Sequence, residues 1–96
     1  MLVKLGVDIS KLKRPIRRIL NRIDIIFNDH GHEAVITSTY EGDHSPGSLH
    51  YDDNAIDFRL PKKKAKIIYG DICKVLDMNY DVLLEGDHIH IEYDPK

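Results

Sequence analysis

Six histidines stand in this 96-residue chain, and four of them, His44, His50, His88 and His90, fall in two short stretches that also carry acids. The second stretch runs Val82-Leu83-Leu84-Glu85-Gly86-Asp87-His88-Ile89-His90-Ile91-Glu92. Gly-Asp between two alternating patterns signals a two-residue hairpin turn. With that turn Glu85 opposes His88, Leu84 opposes Ile89, Leu83 opposes His90 and Val82 opposes Ile91. Opposed residues share a face. Val82, Leu84, Ile89 and Ile91 then belong to the core, while Glu85, His88 and His90 converge with Leu83 on the other side. Two imidazoles and a carboxylate on a rigid ribbon suit metal binding or proton transfer; a solvated polar edge is the plain alternative.

The first stretch leads into a strand over residues 55–60. Ile56, Phe58 and Leu60 face one way there, and Ala55, Asp57 and Arg59 the other. Asp57 thus sits on a polar face, and His50 precedes it by seven residues. Zinc takes neutral imidazole and carboxylate ligands, and its catalytic sites commonly combine three protein ligands with a water. His50, Asp57 and His90 supply such a set. One carboxylate against a dication leaves a positive site, which would acidify a bound water towards a pKa of about 7. Histidines and carboxylates also lie near one another on many surfaces without a metal.

These residues need elements to position them. Ile16, Ile19, Leu20, Ile23 and Phe27 recur at helical spacing, with Arg17, Arg18, Arg22 and Asp24 opposite, so a helix is expected over 12–28. Pro15 is tolerated early in it, and Gly31 suits its C-terminal cap. Residues 33–39 read as a strand. Residues 40–49 read as a loop of turn formers. After Pro61 a second helix is expected over 62–78, with Ile68, Ile72, Val75 and Leu76 as its apolar stripe and Cys73 buried among them. The expected whole is one α+β domain over 1–96, with a small, mostly antiparallel sheet and helices packed on one face.

Composition narrows the function classes. A net charge of −2 gives no electrostatic footprint for nucleic acid, and the run Lys62-Lys63-Lys64 with Lys66 reads as a solvated helix face. One cysteine excludes an intrachain disulfide. No stretch has the roughly 18 apolar residues of a membrane span. The N-terminal residues do not read as a signal peptide, so synthesis in the cytoplasm is expected. His30 and His32, beside the first helix's C-terminus, read as structural or solvated.

The stretch Ser48-Leu49-His50-Tyr51-Asp52-Asp53-Asn54-Ala55-Ile56-Asp57 resembles the motif S-x-H-x-x-G-x-A-x-D of the zinc D-alanyl-D-alanine carboxypeptidases and related peptidoglycan peptidases. With Gly42-Asp43-His44-Ser45 ahead of it, the stretch also resembles the hedgehog signalling domain, which shares that fold. His88-Ile89-His90 matches the H-x-H motif of both groups, and the two motifs span about a quarter of the chain. The resemblance implies a hedgehog-like zinc peptidase fold, with zinc on His50, Asp57 and His90. It places His88 beside the metal to stabilise an oxyanion, and a carboxylate just upstream as general base. Glu85 and Asp87 compete for that base. Glu85 is preferred because the hairpin puts it on the His88 and His90 face, whereas Asp in a turn has backbone reasons to be there.

His44 matches a histidine near the metal in hedgehog-like domains. Ser48, Tyr51 and Arg59 are candidates for contact with substrate. Two departures stand out: Asp53 replaces the motif glycine, and no arginine follows the first strand, leaving Arg59 as a stand-in. Glu41, Asp43, Asp52 and Asp53 form an acidic loop where hedgehog-like domains bind calcium. The implied activity is hydrolysis of D-amino-acid-containing peptides of bacterial peptidoglycan. A small lysis enzyme of the endolysin type, reaching the wall after release, would suit it. A hedgehog-like zinc module that binds a partner without cleaving it, and a metal-free structural domain, are the alternatives.

Overall fold

The computed structural model describes residues 1–39 and 54–95. Along the chain come β1 (Leu2–Val3), α1 (Arg14–Arg17), α2 (Leu20–Asp29), β2 (Val35–Ser38), β3 (Ala55–Arg59), α3 (Ala65–Val75), β4 (Tyr80–Leu84) and β5 (His88–Tyr93). The strands form one mixed sheet in the order β1-β2-β3-β5-β4. β1 runs parallel to β2, and the other neighbours pair antiparallel. The expected α+β class and mostly antiparallel sheet are therefore present. β1 was not anticipated: two residues are too short to show a period.

Alternation along the strands divides the sheet into two faces. Ile56 pairs with Ile91 and Phe58 with Ile89, and all four are fully buried. They share a core with Ile16, Ile19, Ile23 and Phe27 from the first helical segment and Ile68 and Ile72 from α3. The rings of Phe27 and Phe58 stand 5.9 Å apart. Each such burial stabilises the fold by about 1.5–3 kcal/mol relative to exposure.

The hairpin has the register its turn residues specify. Leu84 pairs with Ile89, Leu83 with His90 and Val82 with Ile91. The Glu85 amide closes the turn on the His88 carbonyl at 2.9 Å.

The first helix differs from expectation. It divides into α1 and α2 instead of running unbroken over 12–28. In a continuous helix the Ile19 amide would bond the Pro15 carbonyl. Here that carbonyl accepts the Tyr80 hydroxyl at 2.7 Å, and the Ile19 amide turns to Ile16 O at 3.2 Å. The ladder tightens at that point, and the helix restarts at Leu20. Gly31, at φ +77°, ends α2 in the left-handed region that its missing Cβ allows. His30 bonds Asp71 across 2.7 Å and so ties that end to α3.

The second helix is shorter than the expected 62–78. Lys64 takes a left-handed φ of 63°, so helical geometry starts only at Ala65. Leu76 is extended and ends it. Within α3 the buried line is Ile68 and Ile72, continued by Leu76 just past its end, at steps of four. Cys73 and Val75 lie off that line and are exposed, which corrects their expected burial.

Candidate functional site

The sheet face opposite the core carries the chemistry. In β5, residues 88, 90 and 92 alternate with the buried Ile89 and Ile91. Across the strand boundary Arg59 pairs with His88, Asp57 with His90 and Ala55 with Glu92. Two strands thus bring two imidazoles, two carboxylates and a guanidinium onto one surface.

Asp57 lies at its centre and is only 7% exposed. Its Oδ1 is 2.8 Å from His90 Nδ1, and its Oδ2 is 3.8 Å from His88 Nε2. The other nitrogen of His90, Nε2, lies 2.7 Å from Glu92 Oε1. A carboxylate at each ring nitrogen favours the doubly protonated ring, which can donate at both ends. Burial opposes that charge, but the bonds to Asp57 and Glu92 outweigh it and raise the His90 pKa above the ordinary 6.5.

A bulge shapes the neighbouring strand. Ile36 pairs with Phe58 but Ser38 with Asp57, so β2 advances two residues while β3 advances one. Thr37 is the inserted residue, and its hydroxyl reaches the Asp57 carbonyl at 3.4 Å. Bulges of this kind re-aim side chains beside functional sites. Beside it opens a cleft of about 400 Å³, lined by Lys4, Thr37, Asp57, Arg59, Asp87 and His88.

Asp87, almost fully exposed on the hairpin turn, borders this cleft. Its Oδ1 is 2.6 Å from His88 Nδ1, and that bond together with the charge on the ring holds the Asp87 carboxyl below its usual range. Glu85 is exposed at the other end of the turn and does not line the cleft. Arg59 does line it, as a residue on the Asp57 face should.

The structure therefore brings together Asp57, His88, His90, Asp87 and Arg59 of the residues singled out from the sequence. His44, His50, Ser48 and Tyr51 lie outside the described residues, as do Glu41, Asp43, Asp52 and Asp53. Three participants were missed. Glu92 was available from the period of two that already joined His88 to His90. Thr37 is placed by a bulge, and Lys4 follows β1; neither carries a local signal.

Two of the three expected metal ligands, Asp57 and His90, lie among the described residues and adjoin each other. Asp57 Oδ1 and His90 Nδ1 face each other, and Glu92 holds the far side of the ring. That is the carboxylate–histidine arrangement that fixes a metal-ligating imidazole. A second donor group shares Glu92 with this one. Asp81, Glu92 and Asp94 bring three carboxylate oxygens within 4.8 Å of one another, the one such group of three among the described residues.

Comparison with protein-family models, with curated proteins and with solved structures returns no match. Among the described residues no helix is long and apolar enough to cross a membrane.

Proposed function

We propose that this protein is a zinc-dependent peptidase acting on D-amino-acid-containing peptides of bacterial peptidoglycan, with Asp57, His90 and His50 holding the metal. The observation that carries the reading is the clamping of His90 between Asp57 and Glu92 beside a cleft that holds a second histidine–carboxylate pair. The motifs Ser48–Asp57 and His88–His90 support it from the sequence.

Zinc bound there would polarise a peptide carbonyl and acidify water. The chain's own residues account for the rest. Asp87, kept ionised by His88, accepts a proton in the cleft and returns it to the leaving amine, as general acid–base catalysis requires. This role goes to Asp87 over Glu85 because Asp87 lines the cleft and contacts His88. His88, held at Nδ1 by Asp87, presents Nε2 towards Asp57 and is placed to donate to a developing oxyanion. Lys4 and Arg59 put two cations on the rim, suited to a carboxylate of the substrate.

The test is the metal content of protein purified without added zinc or a histidine tag, followed by digestion of cell-wall peptides. About one zinc per chain, lost in His90→Ala, is expected. Asp87→Asn should keep the metal and lower kcat by roughly 10²-fold or more, with Glu85→Gln near wild type. No zinc uptake from an equimolar solution would overturn the reading. Zinc without turnover of any wall peptide would leave a metal-bearing interaction module.

A further inference from the structure

On the helical side of the sheet lies a second cleft of about 430 Å³ that the proposed chemistry does not use. Its volume falls within the roughly 300–1,000 Å³ of small-ligand sites. Ile19, Val75 and Leu76 give it an apolar wall, and Arg18 and Arg22 stand over it. Both arginines come from a stretch, residues 9–23, that holds six cations and no acid: Lys11, Lys13, Arg14, Arg17, Arg18 and Arg22. All six are exposed, and two of them, Arg18 and Arg22, line the cleft.

The arginines differ in how they are held. Arg17 is committed to the fold: it donates to the carbonyls of Leu12, Ile9 and Ser10 at 2.6–2.9 Å. Arg18 is positioned but not neutralised. Its Nε donates to the Tyr80 hydroxyl at 2.9 Å, and its Cζ lies 5.9 Å and 5.8 Å from the ring centres of Tyr80 and Tyr93. Those rings meet edge to face 5.2 Å apart. Aromatic packing removes rotamer freedom from the guanidinium without using the Nη donors. Arg22, one helical turn on, has no hydrogen-bond or ion-pair partner among the described residues. One carboxylate, Asp77, also lines the cleft; its Oδ1 accepts the Asn79 amide at 2.9 Å, and its charge acts on Arg18, so a bound anion shares the arginines with it.

A preordered guanidinium beside one without a partner among the described residues, with the exposed Val75 next to them, matches an oxyanion carried on a small aliphatic group. We propose that the Arg18–Arg22 cleft is a binding site for such an oxyanion, a phosphate ester or a carboxylate, taken by the planar fork of Arg18 and the charge of Arg22. The site stands independently of the peptidase reading, because it shares no residue with the Asp57–His90 surface.

The test titrates the full chain at low, constant ionic strength with inorganic phosphate, acetate and chloride in turn. Backbone amides and arginine Nε–H resonances are followed by NMR. Phosphate should produce saturable shifts at Arg18 Nε–H and at the amides of residues 75–80, and chloride none that saturate. Tighter phosphate binding assigns the site to phosphate esters; tighter acetate binding assigns it to carboxylates. Arg22→Gln should weaken binding at least fivefold. Arg18→Lys, which keeps the charge and loses the fork, should weaken it comparably, while Lys63→Gln, exposed and outside the cleft lining, should not. Unsaturable shifts spread over all basic residues, or wild-type affinity in both arginine variants, would overturn the proposal.

Discussion

The two faces of β5 set the fold against the chemistry within six residues. Ile89 and Ile91 point one way and are wholly buried among helix side chains. His88, His90 and Glu92 point the other way and meet Asp87, Asp57 and one another through polar bonds. The apolar face needs volume and tolerates any arrangement that fills it. The polar face needs atoms at stated distances, and it obtains them from pairing with β3. The sheet thus separates stability from function by parity: one side of each strand fixes the register, and the other uses it.

Variants on each face should separate accordingly. Phe58→Ala should have the largest effect on the fold, a loss of about 3–5 kcal/mol in urea unfolding, because it empties a site packed against Phe27. Polar-face variants should leave the unfolding midpoint far less changed. Glu92→Gln should lower zinc affinity about 10–100-fold in competition with a chelator, since it weakens the bond that orients His90. Equal affinity in that variant would remove Glu92 from the site.

The smallest effect should be the pH dependence of the metal-free protein. The fold raises the His90 pKa above 6.5, so it favours the protonated ring. That contribution is fully present below pH 6.5 and is lost as pH rises through the higher folded value. Thermal melts from about pH 6 to about pH 9 in chelator should fall on the alkaline side. With zinc present the trend should reverse, because a ligating imidazole must be neutral. A flat profile in chelator would break the carboxylate clamp on His90.

What the sequence revealed followed the range of the interactions. The hairpin was legible down to its pairings because Gly86-Asp87 and the alternation around it are local. The polar faces of Asp57 and of His90 were each legible within their own strands, but the pairing of β3 with β5 that joins them is long-range and carries no local signal. The break between α1 and α2 was not, because its cause is a hydroxyl far along the chain. The late start of α3 depends on one left-handed lysine, a residue type with no preference for that geometry. Cys73 was misplaced because a run of apolar neighbours was read as a wide stripe where burial follows a narrow line. Asp87 was ranked behind Glu85 because hairpin parity speaks only of faces, and the contact of its carboxylate with the His88 ring depends on a turn side chain that parity does not place.

The Tyr80 hydroxyl bears on the order in which the molecule assembles. It joins Pro15 to the start of the hairpin across a separation of 65 residues. Closing a loop of that length costs roughly 4 kcal/mol of chain entropy. The bend between α1 and α2 therefore belongs to no local segment: the helix can nucleate early, but its final shape waits for β4. The Arg18 fork, set in place by the same hydroxyl, likewise depends on a contact between distant parts of the chain, not on its own helix alone.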